Sequence, residues 1–233
     1  MSPVLLAVAH GSRDPAAQDC VLALTRRVAT LSAGTQVATA FVQNAAPSLA
    51  EGLHDAVARA GADGVVVVPL LLSSGYHLSS DIAGAARGAR VRLAAPLGPG
   101  PRLVRPLADR LAEAGVPGQV PVVLAAAGSR DPRALADIRR QAAMLAVHRH
   151  APVVAAFASA ARPTVDEAVS FLASLTGQPV AVASYLLAPG HFHDQLHRAG
   201  ADWVTAPLGG HPALAGVVID RYRTASRRPA LAA

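Results

Sequence analysis

Val4-Leu-Leu-Ala-Val-Ala-His10-Gly-Ser-Arg-Asp-Pro15 returns 117 residues later as Pro121-Val-Val-Leu-Ala-Ala-Ala127-Gly-Ser-Arg-Asp-Pro132. Three more pairs follow in the same order: Ala40-Phe41 with Ala156-Phe157, Leu71-Leu72-x-x-Gly75 with Leu186-Leu187-x-x-Gly190, and Ala95-Pro-Leu-Gly98 with Ala206-Pro-Leu-Gly209. Their separations fall to 116, 115 and 111 residues, as two copies of one domain would show after losing loop residues. The chain of 233 residues therefore reads as a domain over residues 1–116 followed by a second copy over 117–233. Gly115-Val-Pro-Gly118 at the junction suits a short linker.

Each copy alternates short β-rich runs with helical patterns. In the first, strands are expected near 3–9, 36–42, 64–70 and 91–95, and helices near 14–32, 47–61, 79–88 and 101–114. In the second, strands are expected near 121–127, 152–158, 179–186 and 202–206. That alternation predicts an α/β fold of two tandem, duplicated domains, each a mostly parallel four-stranded sheet flanked by helices. An apolar fraction of 52% with only 3% aromatics fits such a sheet, whose strands are buried on both faces by small aliphatic side chains. Asp14-Pro15 and Asp131-Pro132 read as helix N-caps followed by proline in the first turn.

In open sheets of this kind ligands bind beyond the carboxyl ends of the strands. His10 ends the first strand, Gln43 the second, and His77 follows the third across Ser73-Ser74-Gly75. Positions that serve only the fold should match between the copies, but His10 pairs with Ala127, Gln43 with Ser159, and His77 with Phe192, or with His191 or His193 after a one-residue gap. A lone strand-end histidine is ordinarily structural. Two that converge from separate strands, both opposite apolar residues, point instead to a site used once. Neutral imidazole ligates borderline divalent metals and is a base near neutral pH.

Ala9-His10-Gly-Ser-Arg-Asp-Pro15, Phe41 followed by Pro47-Ser-Leu49, and Leu71-Leu-Ser-Ser-Gly75-Tyr-His77-Leu-x-x-Asp81-Ile82 resemble the sirohydrochlorin chelatases, along essentially the whole chain. The resemblance implies insertion of a divalent metal, Fe2+ or Co2+, into an acidic tetrapyrrole. It implies that His10 is the proton acceptor and a metal ligand, that His77 is the second ligand, and that Ser73, Ser74, Gly75 and Tyr76 support the macrocycle. Relatives often carry a carboxylate where this chain has Gln43, so Gln43 is read as a substrate contact. Ser12 and Arg13, in the loop before the first helix, are read as contacts for substrate carboxylates, with the macrocycle in the cleft between the lobes. The metal is a substrate, and no resident cofactor is expected. Iron is favoured over cobalt, because the tail after Thr224 lacks the histidine run or cysteine cluster of some cobalt-directed relatives. A tetrapyrrole or metal carrier using the same cleft is the alternative.

Every one of the 21 basic residues is arginine, and the formal charge of +6 suits an acidic ligand. No basic run interleaved with aromatics suggests nucleic acid as a partner. Without lysine there is no Walker-type phosphate loop, and Gly98-Pro-Gly100 is not a dinucleotide fingerprint, so ATP dependence and a regulatory nucleotide-binding domain are disfavoured. The longest apolar runs, such as Val65 to Leu72, are too short for a membrane span. Met1 leads directly into a strand, so a cytoplasmic monomer is expected. The single Cys20 excludes an internal disulfide and a cysteine-ligated cluster. His191-x-His193-x-x-x-His197 has zinc-pair spacing if a helix runs through it. No cysteine or acidic cluster completes a closed site, which leaves a surface or cleft-rim role.

Overall fold

A computed structural model describes residues 2–74, 84 and 90–227. The strands are β1 (Val4–Ala9), β2 (Val37–Phe41), β3 (Val65–Pro69), β4 (Val91–Leu93), β5 (Val122–Ala126), β6 (Val153–Phe157), β7 (Ala181–Ser184) and β8 (Trp203–Val204). They form two four-stranded sheets of order β2-β1-β3-β4 and β6-β5-β7-β8, with every pairing parallel. Helices are α1 (Pro15–Leu31), α2 (Leu49–Ala60), α3 (Val104–Glu113), α4 (Pro132–Arg149), α5 (Val165–Thr176), α6 (His191–Leu196) and α7 (Pro212–Ser226), with a 3-10 turn over Pro101–Leu103 before α3. The expected fold class is the observed one. Ladder pairing stops earlier than the apolar pattern does, so β4 and β8 are shorter than expected. The expected helix near 79–88 lies outside the described residues apart from Gly84.

Local chemistry explains where the helices start. The Asp14 carboxylate accepts from the amide of Ala16 and that of Asp131 from the amide of Arg133, both at 2.9 Å, ahead of prolines that lack the amide a first turn would leave unpaired. α2 begins with a reciprocal capping box: Glu51 donates its amide to Ser48 Oγ at 3.3 Å, and Ser48 donates its amide to the Glu51 carboxylate at 2.9 Å. Those bonds from Ser48 hold the Glu51 carboxyl below its ordinary range. In the central strands β1 and β5 every residue is buried, as a sheet covered on both faces requires. The second core mirrors the first: Val65, Val67, Leu49 and Leu53 meet on one sheet face, and Val180, Val182, Val165 and Val169 meet on the other sheet's equivalent face.

The packing division does not follow the repeat at residue 116. One compact unit holds the first sheet, α1, α2 and the C-terminal helix α7; the other holds the second sheet, α3 to α6 and the stretch Leu72–Ser74. α7 covers β3 and lies along α1, while α3 packs on α4 and β7. Each sheet is thus closed by the last helix of the other sequence copy. Tyr222 at the end of α7 donates its hydroxyl to the Pro3 carbonyl at 2.6 Å, and Arg221 donates to the Leu97 carbonyl at 3.0 Å. In the second unit Arg110 of α3 donates to the Pro207 carbonyl at 3.1 Å.

A chain cut before Pro212 should therefore lose the fold of the first unit. Leu214, Val217, Val218 and Tyr222 of α7 are all buried. At about 1.5–3 kcal/mol for each large apolar side chain, their removal is comparable with a domain's whole stability of about 5–15 kcal/mol. The expected result is loss of the cooperative transition of the first unit in thermal unfolding. A truncated chain that keeps both transitions would contradict the assignment of α7.

Candidate active site

The site begins where the paired strands of the first sheet end. Ala9 lies opposite Phe41 in the register, and the ladder continues past both strands. Val42 donates its amide to the Ala9 carbonyl and Gln43 donates to the His10 carbonyl, both at 3.0 Å. With the backbone satisfied, the side chains of His10 and Gln43 are free to meet each other, and both residues are exposed. The Gln43 amide nitrogen is 2.8 Å from Nε2 of His10. An amide nitrogen can only donate, so in this contact Nε2 of His10 is the acceptor.

Gly11 makes this approach possible. It sits at φ +94°, in the left-handed region, and a Cβ built on it would lie 1.7 Å from the Gln43 carbonyl oxygen. The chain thus turns from β1 into α1 directly against the end of β2. Ser12 supports the turn: its hydroxyl accepts from the Asp14 amide at 3.1 Å, and its carbonyl accepts from the Gln18 side chain at 2.8 Å. Because the Asp14 carboxylate already caps the first turn of α1, an anion at this loop meets the exposed Arg13 rather than an uncapped helix end.

The third strand end is tied differently. Leu70 donates to the Val8 carbonyl at 2.7 Å, which continues the ladder beyond β3. The next residues then join the second unit. Ser74 donates its amide to Asp137 Oδ2 at 2.9 Å and its hydroxyl to the same oxygen. The Leu72 carbonyl accepts the hydroxyl of Tyr185 at 2.6 Å. Burial, and secondarily the Asp137 carboxylate, push that phenol well above its ordinary range, so it stays a donor. Ser73 is half-buried in the same stretch. Gly75, Tyr76 and His77 lie outside the described residues. Of the three expected strand-end groups, the structure brings His10 and Gln43 together.

Neither Asp137 nor Tyr185 was singled out in the sequence, although a signal existed. The repeat sets Asp137 opposite Cys20 and Tyr185 opposite Leu70. Such differences between the copies carry a signal whether the polar residue stands in the first copy or in the second.

The second sheet repeats the scaffold without the imidazole. Ala126 lies opposite Phe157, Ser159 donates its amide to the Ala127 carbonyl at 2.9 Å, and its hydroxyl donates to that carbonyl at 2.8 Å. Gly128 has φ +97°, with a would-be Cβ 1.8 Å from the Ser159 carbonyl oxygen. The register confirms that His10 corresponds to Ala127 and Gln43 to Ser159. Among the described residues no group of three or more His, Cys, Asp or Glu side chains is placed to hold a metal. No described helix is long and apolar enough to cross a membrane.

These features define a tandem α/β protein with one imidazole and amide site at the carboxyl edge of its first sheet. The CbiX profile matches it twice, over residues 4–114 and 121–225, and the chain belongs to that family, the sirohydrochlorin chelatases. It is 27% identical to the sirohydrochlorin ferrochelatase of Bacillus subtilis (strain 168), over 96% of this chain and 92% of that protein. It is 28% identical to a sirohydrochlorin cobaltochelatase of Priestia megaterium, over 80% of this chain and 64% of that protein. The structure of SirB from Bacillus subtilis with Fe3+ superposes with a TM-score of 0.81 at 25% identity, covering 97% of this chain and 96% of that one.

Proposed function

We propose that this chain inserts a divalent metal, Fe2+ in preference to Co2+, into sirohydrochlorin or a similar acidic tetrapyrrole without ATP. The observation that carries the reading is the His10 imidazole held against Gln43 at the exposed edge of the first sheet, on a scaffold whose second copy has Ala127 there. The names of the relatives above supply the reaction class.

Metal insertion requires two pyrrolic protons to leave the macrocycle as the ion enters. Once the Gln43 amide turns aside, the Nε2 lone pair of His10 ligates the ion first and, after the ion has passed to the macrocycle, takes one pyrrolic proton, the other going to solvent water. Rotation of that amide presents its oxygen to the imidazolium that results, so Gln43 serves the ring before and after proton transfer. His77 is the second metal ligand, and Ser12, Ser73, Gly75 and Tyr76 contact the macrocycle. Arg13, permanently charged and exposed, pairs with substrate carboxylates. Ser74 also contacts the macrocycle, its hydroxyl oxygen still able to accept while its amide and hydroxyl donate to Asp137. The ion enters and leaves in the divalent state. Anaerobic incubation of sirohydrochlorin with competing Fe(II) and Co(II) tests the reading: many metallated macrocycles per chain are expected, with iron ahead. A yield that stops near one per chain would make the protein a carrier.

Replacing Gln43 by glutamate should alter metal handling more than substrate binding. A charge pair at about 4 Å is worth roughly 4 kcal/mol at an effective dielectric of 20. Solvent screening at this exposed edge cuts the net gain to about 1.4 kcal/mol, or tenfold in affinity. Co(II) titration of Gln43→Glu should show that tightening. Unchanged affinity, with a fall in His77→Ala, would mean that Gln43 does not face the ion.

A further inference from the structure

His191, His193 and His197 play no part in the proposed reaction. α6 spans His191–Leu196, and His197 keeps helical angles, φ −67° and ψ −12°, at its C-terminal cap. His193 and His197 therefore stand four residues apart on one helical face, the spacing by which helical histidine pairs take a metal. Their rings meet edge to face with centroids 5.1 Å apart.

Nε2 of His193 is 3.0 Å from the Thr205 carbonyl oxygen. A carbonyl can only accept, so this nitrogen carries the proton, and the lone pair of the neutral ring sits on Nδ1. Metal-ligating histidines are tied by one nitrogen to a carbonyl or carboxylate in this way, which sets the tautomer and the ring orientation. His193 is half-buried, as the tie requires, and His197 is exposed. With metal–nitrogen bonds of about 2.0–2.1 Å and a ring nitrogen roughly 1.2 Å from its centroid, two imidazoles on one tetrahedral ion have centroids about 5.2 Å apart. The observed 5.1 Å is close to that spacing, so binding requires the exposed His197 ring to turn and the helix to stay as it is. His191 stands two residues before His193 and so lies off the helical face that His193 and His197 share; its Nε2 meets the Gln195 amide at 2.9 Å.

We propose that His193 and His197 form a second metal site, in the second unit, for a borderline divalent cation such as Co(II), Ni(II) or Zn(II). Two imidazoles select such ions over Mg(II) and Ca(II), which prefer oxygen ligands. With only two protein ligands the remaining positions fall to water, so the ion exchanges readily. The site rests on the geometry of the second unit and does not depend on the insertion reaction.

The probe is Co(II) alone, titrated anaerobically into the full chain carrying His10→Ala and His77→Ala and followed by visible absorption and calorimetry. One equivalent should still bind. Adding His197→Ala, which leaves the Thr205 bond in place, should weaken that equivalent at least tenfold, since losing even an outer partner of a ligand costs about 10–100-fold. Adding His193→Ala should do the same, while His191→Ala should leave binding as it was. In NMR spectra of the parent double variant, Co(II) should shift the His193 and His197 ring protons. Absence of any residual Co(II) equivalent, or a residual equivalent indifferent to His197→Ala, would overturn the proposal. Failure of the wild type to metallate sirohydrochlorin would leave this titration unaffected, so the two readings fail separately.

Discussion

His10→Ala should lower metal insertion by about 10²–10⁴-fold, the usual contribution of a positioned general base, while leaving the thermal transitions of the protein in place. The fold should survive because His10 is exposed, its backbone carbonyl still accepts from Gln43, and the second sheet makes the same turn with Ala127. The matched substitution Arg130→Ala, in the second Gly-Ser-Arg-Asp-Pro loop, should change the rate little, whereas Arg13→Ala should raise the KM for the carboxylate-rich substrate. The measurement is initial rate against sirohydrochlorin concentration for each variant, with circular dichroism melts alongside. Equal losses from the matched substitutions Arg13→Ala and Arg130→Ala would sink the idea of one site in the first copy.

Gly11→Ala should be the most damaging single change to the scaffold of the site. It asks alanine to hold φ +94° and places a methyl group 1.7 Å from a carbonyl oxygen that is part of the backbone and cannot swing away. A left-handed alanine costs about 1–3 kcal/mol, and relief of the overlap must move the end of β2, so the expected total is about 3 kcal/mol or more. For a chain of this size that lowers the melting temperature by roughly 6–12 °C. Gly128→Ala faces the same geometry against Ser159 and should destabilise to a similar degree. The two should part in activity. Folded Gly11→Ala, assayed well below its melting point, should be slow because His10 and Gln43 have been pushed apart, whereas folded Gly128→Ala should retain most of its rate. Similar specific activities for the two folded variants would show that the His10 and Gln43 contact has no part in the reaction.

That His10 and Gln43 end neighbouring strands of the first sheet was legible in the sequence. Short β-rich runs mark β1, β2 and β3, and the repeat sets His10 opposite Ala127 and Gln43 opposite Ser159, in keeping with the strand registers. The partnership of Asp137 with Ser74 was not legible, because the two are 63 residues apart and Asp137 belongs to no motif. A hydrogen bond between distant segments leaves no local trace.

By itself the sequence determined the elements, their parallel order and the copy that holds the imidazole, because strand and helix periods, caps and the Gly11 turn are set by residues close together in the chain. Tertiary structure alone decided which sheet each terminal helix covers. α3 buries one face and α7 most of its surface, and an apolar surface specifies only that it must be buried, not by which of two nearly identical sheets. That choice was made by contacts such as Tyr222 with Pro3, 219 residues apart, which also place the end of the second copy in the unit that carries His10.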